Sequence, residues 1–152
     1  MAEIANKKLT GQLQNLLSIA NDSIAVYKKA ANDAKGQEFT TLFTDYLIQR
    51  TEDANELKAA ITQLGADPEQ SGSTLGTLNR FWIGIKTTLS SDEERVLLEA
   101  SESHDRSAIE EYNTVLKSEE LTPELRALLE EQREGIEKAL IRAEQLGRVY
   151  AS

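Results

Sequence analysis

Apolar residues recur at three- and four-residue intervals along almost the whole chain, and the recurrence breaks into four long stretches. The first stripe is Leu13, Leu16, Leu17, Ala20, Ile24, Tyr27, Ala31 and Ala34. It predicts a helix over residues 10–35, opened by Thr10 as N-cap and closed by the basic Lys35 with Gly36 as the residue after the cap. A second helix is predicted over 37–64, stopping at Gly65 with Pro68 just beyond. Ser91-Asp92-Glu93-Glu94 reads as a capping box that opens a third helix over 91–117. Thr122-Pro123-Glu124 supplies an N-cap and an N1 proline for a fourth over 123–147, ending at Gly147. Only short turns separate the first helix from the second and the third from the fourth, so each pair forms an antiparallel hairpin.

The two hairpins are joined differently. Gly65-Ala66-Asp67-Pro68-Glu69-Gln70-Ser71-Gly72-Ser73 is a loop by composition. Leu75, Leu78, Trp82, Ile85 and Leu89 then fall at helical spacing and predict a further helix over 74–89. A helix of about fifteen residues covers roughly 22 Å, a large part of a bundle's length. Such a segment lets the chain return along the bundle and start the third helix at the far end. An up-down-up-down bundle needs only a short turn there, whereas one long crossover is the ferritin-like connection. The expected fold is therefore all-α, a single ferritin-like four-helix-bundle domain over 1–152 with an extra helix in its crossover.

Within the stripes, four positions break the apolar rule. Arg50 and Asp53 share a face with Phe39, Phe43, Tyr46, Leu57 and Ile61; Asp105 shares one with Leu97, Leu98, Ala108, Tyr112 and Val115; Gln132 shares one with Leu125, Leu129, Ile136 and Leu140. A charge on a core stripe is costly unless it is paired. Arg50 offers a planar bidentate donor to the inward carboxylates of Asp53 and Asp105, with Gln132 taking up leftover donors or acceptors. The first reading of Arg50, Asp53, Asp105 and Gln132 is a structural polar layer that fixes helix register. The alternative is a remodelled iron, manganese or zinc site using Asp53, Glu102, Asp105 and His104, since bundles hold metals at this level.

Composition narrows the alternatives. The formal net charge of −9 leaves no basic surface for nucleic acid or an anionic membrane. The absence of cysteine removes disulfides, zinc-thiolate sites, iron–sulfur clusters and cysteine nucleophiles. No run approaches the roughly 20 apolar residues of a membrane span, and Met1-Ala2-Glu3-Ile4-Ala5-Asn6-Lys7-Lys8 lacks the apolar region of a secretory signal. A cytoplasmic location is the expectation. His104 is the single histidine and has Ser101, not an acid, three residues before it, so Glu-x-x-His is absent. Helical phase turns Glu52, Glu131 and Glu134 away from their stripes, as a solvated face would require. Phe81 and Trp82 are adjacent and separated by about 100° on the crossover helix. Either one of them is left for a subunit contact, or Phe81 lies at the stripe's flank and the segment, with Leu75, Leu78 and Leu89, is a lid over one side of the bundle; a homodimer through the Phe81 face is expected.

Leu64-Gly65-x-x-Pro68 followed by Gly72-Ser73-x-x-Gly76-x-x-Asn79-Arg80-x-Trp82 resembles a bacterial ferritin-like four-helix-bundle family of uncharacterised function, in which a Gly-Ser-x-x-Gly turn leads into a His-Arg-x-Trp crossover helix. Asp22, Tyr27, Arg50, Glu102, Asp105, Tyr112 and Gln132 extend the likeness over nearly the whole chain. Asn79 stands where that family usually has His, Ser101 where it often has Cys, and Leu140 where it often has His. Any metal or redox role of those side chains is lost here. Against iron-binding ferritins, the likeness places Arg50 and Asp53 at the Glu-x-x-His positions of the second helix, Gln132 and Gly135 at those of the fourth, and Ala20 at the glutamate of the first. Arg50 cannot lose its proton and repels a divalent cation. The resemblance therefore implies the fold without the iron chemistry. The function expected is a non-catalytic bundle without a cofactor that acts by protein association; the alternative is a metal-binding or oxidoreductase bundle with a remodelled carboxylate site.

Overall fold

The computed structural model describes residues 2–68 and 93–151, which form four α-helices: α1 (Ala2–Asp33), α2 (Gln37–Gln63), α3 (Glu93–Leu116) and α4 (Pro123–Ala151). The predicted crossover helix over 74–89, the capping serine Ser91, and the interface pair Phe81 and Trp82 lie outside the described residues. No helix among those described is long and apolar enough to cross a membrane.

Three of the helix ends differ from those the sequence predicts. Thr10 is not an N-cap, because α1 already begins at Ala2. The buried stripe begins at Leu9, ahead of the proposed cap, and the preceding Ala, Glu and Lys residues are strong helix formers. Gly36 does not close α1; it is the N-cap of α2 with φ −80° and ψ 139°. The turn is so tight that Ala34 N–H closes α1 on the Ala30 carbonyl while Thr40 N–H opens α2 on the Gly36 carbonyl. Gly147 does not stop α4, which continues to Ala151. That glycine instead lets α3 approach, since a Cβ there would lie 3.3 Å from Leu98 Cδ2.

Other ends follow the expected chemistry. Gly65 has φ +88°, with its N–H on the Thr62 carbonyl and the Ala66 N–H on the Ile61 carbonyl. These two bonds satisfy carbonyls the helix leaves open and form a Schellman motif. Thr122 Oγ1 accepts from Leu125 N–H at 3.2 Å and caps α4. The Arg126 guanidinium then donates to the Leu116 and Ser118 carbonyls at 2.8 and 3.0 Å, tying the end of α3 to the start of α4.

Cross-helix contacts fix the topology. Asn15 meets Glu111 and Ser23 meets His104, so α1 and α3 are antiparallel. Asp45 meets Arg142 and Gln132 meets Glu56, so α2 and α4 are antiparallel as well. Both hairpins being antiparallel, α2 and α3 run parallel, and the end of α2 and the start of α3 stand at opposite ends of the bundle. This is the ferritin-like arrangement with one long crossover.

The interior divides into two apolar clusters. One holds Leu9, Leu13, Leu16, Leu57, Ile61, Val115 and Leu129 towards the α2 C-terminus. The other holds Val26, Tyr27, Phe39, Phe43, Tyr46, Leu97 and Ala143 towards its N-terminus. Between them lie the buried polar residues Ser23, Arg50, Asp53, Asp105 and Gln132. At the α2 C-cap, a Cβ on Gly65 would meet nothing within 4 Å, so a substitution there is strained by φ alone. Gly65→Ala is expected to lower unfolding stability by about 1 kcal/mol, measured as a shifted urea midpoint with unchanged m value.

Candidate functional site

Arg50 is the largest fully buried side chain among the described residues, at 1% exposure, and Asp105 is at 0%. They meet because α2 carries Arg50 on the face that passes Phe43, Tyr46, Asp53 and Leu57, while α3 carries Asp105 on the face of Leu98 and Ala108. Arg50 Nη2 donates to Asp105 Oδ1 at 2.9 Å. The same oxygen accepts the Tyr27 hydroxyl of α1 at 2.5 Å. One carboxylate oxygen thus joins three helices. The second amino group of the guanidinium, Nη1, donates to Gln49 Oε1 at 2.8 Å, and the guanidinium carbon lies 5.8 Å from the centre of the Tyr27 ring. Burial and the Asp105 charge push the Tyr27 phenol well above its usual range, so it stays a donor.

Asp53 is held differently. Its Oδ2 lies 4.0 Å from Arg50 Nη1, beyond hydrogen-bonding distance, and has no hydrogen-bond partner. Burial raises its pKa from 3.8 to about 7; Arg50 opposes this, while Glu56, Glu52 and Glu131 reinforce it. The layer therefore holds one firm ion pair, and Asp53 is substantially protonated up to neutral pH. Gln132 sits beside it and bonds to groups other than Arg50. Its Nε2 donates to the Asp53 backbone carbonyl at 3.3 Å and to Glu56 Oε1 at 3.1 Å, and its Oε1 accepts the Tyr112 hydroxyl at 2.7 Å. Gly135, one turn along α4, leaves the space that the Gln49 amide occupies, since a Cβ there would lie 2.7 Å from Gln49 Nε2.

His104 faces α1, with Nε2 2.6 Å from Ser23 Oγ. Ser23 Oγ also donates to the Ile19 carbonyl at 3.0 Å. A hydroxyl has one proton, so the imidazole Nε2–H donates to Ser23 and the serine is not activated as a nucleophile. Burial lowers the His104 pKa and keeps the ring neutral. Glu102 lies elsewhere, near Arg106 on the α3/α4 surface. The four residues of the metal alternative, Asp53, Glu102, Asp105 and His104, are not brought together. Sequence phase missed Ser23, Gln49 and Glu56. The α1 stripe passes through Ser23 and Ala30, buried in place of the half-exposed Ile24 and Ala31. Ser23, three residues after Ala20 and four before Tyr27, is in helical phase with that stripe, but Ile24 beside it is the apolar residue.

Residues 8–119 match a family described as a domain of unknown function, DUF2383. The chain belongs to that family. The match ends before α4, which supplies Gln132. No curated protein sequence matches. Solved structures share the fold at low identity. A DUF305 fragment from Deinococcus radiodurans superposes with TM-score 0.76 at 14% identity, covering 91% of this chain and 94% of its own. A ferritin-like, diiron-carboxylate protein from Bacillus anthracis str. Ames gives 0.74 at 17%, covering 93% and 96%. A conserved hypothetical protein, rv2844, from Mycobacterium tuberculosis gives 0.72 at 11%, covering 96% and 92%.

The Bacillus likeness raises a test of the centre as a carboxylate-bridged metal pair, and the residues do not fit one. A fixed guanidinium occupies the middle, and Asp105 Oδ1 already serves Arg50 and Tyr27. Among the described residues no group of three or more His, Asp or Glu could hold a metal ion. Removing the cation strands the Asp105 carboxylate in the core, so Arg50→Leu is expected to cost about 3–5 kcal/mol in chemical denaturation. The Asp53 effect has the opposite sense. Its folded pKa exceeds its unfolded value, so the folded state binds more protons and stability falls as pH rises from about 4 through 7. Asp53→Asn is expected to flatten this fall and to stabilise the protein by a few kcal/mol at pH 8, read from unfolding midpoints between pH 5 and 8.

Proposed function

We propose that this protein is a non-catalytic ferritin-like bundle that acts by association, with itself or with another protein. The observation that carries the reading is the Arg50–Asp105 pair at 2.9 Å in the centre of the bundle. Protein groups of both signs meet there, with Asp105 Oδ1 accepting from Arg50 Nη2 and from the Tyr27 hydroxyl, while Arg50 Nε, Asp105 Oδ2 and Asp53 Oδ2 have no hydrogen-bond partner. An ion pair of this kind fixes which helix faces meet, and fixing register is the best-attested use of a buried ion pair. A cytoplasmic location and a homodimer belong to the same reading.

The surface offers contact area in support. Ile48 on α2 and Ile141 and Val149 on α4 are exposed large hydrophobics, at 54%, 53% and 67%. Val149 borders a groove of about 430 Å³ between the start of α2 and the end of α4, with Leu42 and Leu146 in its lining. Exposed apolar area of this kind marks contact sites when it is contiguous.

Two measurements test the reading. Elemental analysis of protein purified without chelator is expected to find iron, manganese and zinc well below one atom per chain. Stoichiometric metal that disappears on Asp105→Ala overturns the reading in favour of a metal-binding bundle. Light scattering at two salt concentrations is expected to show a dimer for the wild type and a monomer for Phe81→Ser.

A further inference from the structure

Of the large hydrophobics exposed among the described residues, Ile141 and Val149 stand on α4. Ile141, the exposed Gln145 and Val149 are spaced four residues apart, so they form one nearly axial line that drifts by about 40° per step. The same count sets Ile141 about 160° from the buried Ala143. The line therefore runs along the side of α4 turned away from the bundle core, as a second and thinner apolar stripe outside the first.

An apolar line alone does not say what covers it. The charges around this one do. The chain carries a formal net charge of −9, so two copies repel across most of their surfaces. Over residues 37–48 of α2 and 138–149 of α4, by contrast, Glu38, Asp45 and Glu144 are matched by Lys138, Arg142 and Arg148. Arg142 holds Asp45 at 2.8 Å across the α2/α4 seam. A second copy can approach this stretch without the general repulsion.

The order of the charges selects an orientation. A two-fold axis through Gln145 sets two α4 helices antiparallel, with Ile141 level with the partner's Val149. Glu144 and Arg148 share the flank of the line that faces α3, where both border a groove with Leu98 and Glu99. In the antiparallel register Glu144 stands about 3 Å along the axis from the partner's Arg148, on the same flank. Its own chain holds it only loosely, through Arg106 at 3.9 Å. A parallel pairing would set Lys138 and Arg148 beside their own copies and is disfavoured. We propose that the outer face of α4 is a self-association surface that meets a second copy antiparallel, with the two-fold axis at Gln145, Ile141 against the partner's Val149, and Glu144 paired with the partner's Arg148. This contact rests on the association reading above but does not use Phe81. One helix pair is smaller than a stable interface needs, so the contact fills at high protein concentration and adds to one through Phe81.

Cross-linking through introduced cysteines tests the pose, because the chain has no cysteine of its own. Phe81→Ser protein carrying Gln145→Cys is treated at high concentration with a short bismaleimide, beside the same protein carrying Lys138→Cys. In the proposed register the two Gln145 positions are level, while the two Lys138 positions lie about 21 Å apart along the axis. The expected result is a covalent dimer through Gln145→Cys and at most a trace through Lys138→Cys. Glu144→Arg or Arg148→Glu alone is expected to lower the cross-linked yield at least about threefold, and the two together to restore it. Circular dichroism checks that each variant is folded. Equal yields from the two cysteines, no yield from Gln145→Cys, unchanged yield in the single charge variants, or no restoration in the double would each overturn the proposal. Light scattering of the wild type separates the failures. A dimer without the Gln145 link removes this face and keeps the association reading, whereas a monomer without the link removes self-association altogether.

Discussion

A guanidinium in the middle of a four-helix core is the constraint around which the rest of this structure is arranged. Arg50 cannot shed its charge, so its neighbours must supply an anion and acceptors. Asp105 provides the anion and Tyr27 and Gln49 add a hydrogen bond to each member of the pair, leaving Arg50 Nε and Asp105 Oδ2 without a partner. The consequence is a core cut in two. Leucine-rich packing fills one end and aromatic packing the other, with polar contacts linking the helices between them. A shift of α3 by one turn along α1 would remove Asp105 from both Arg50 and Tyr27, so the ion pair specifies register where aliphatic packing alone would tolerate slippage.

The same constraint shapes the chemistry left over. One cation neutralises one carboxylate, and the second inward acid, Asp53, is left 4.0 Å away with a pKa raised to about 7. The layer thus has a closed side and an open side. Towards α1 and α3 one Asp105 oxygen accepts from Arg50 at 2.9 Å and from Tyr27 at 2.5 Å. Towards the α2/α4 seam a protonatable acid borders an anionic groove. At 17% identity or below, the likeness to the solved structures carries the fold alone.

Much of the architecture was legible because helix periodicity, short turns and one long connection are local or combinatorial signals. The Gly65 stop and Thr122 cap follow from residue chemistry. The Thr10, Gly36 and Gly147 assignments failed because an isolated cap residue cannot outweigh strong helix formers or tertiary contact. For the site, phase alone turned Arg50, Asp53, Asp105 and Gln132 inward, and all four are buried. Phase could not rank the partners. Gln132 serves Tyr112 and Glu56 rather than Arg50, and Asp53 loses the competition for the guanidinium to Asp105 on another helix. Those outcomes depend on interhelical distances of a few ångströms, which no single-helix pattern encodes. The Ser23–His104 contact was illegible for the same reason, and Glu102 and His104 proved too far apart in direction to join Asp53.

If the buried pair organises the core, its two members must be energetically coupled. A double-mutant cycle built from Arg50→Leu, Asp105→Leu and the double variant measures this directly in denaturant. The account predicts that each single change is severe, because each strands an uncompensated charge, while the double variant is far less destabilised than their sum, with a coupling of at least about 2 kcal/mol. Additivity of the two single effects to within about 0.5 kcal/mol would contradict it.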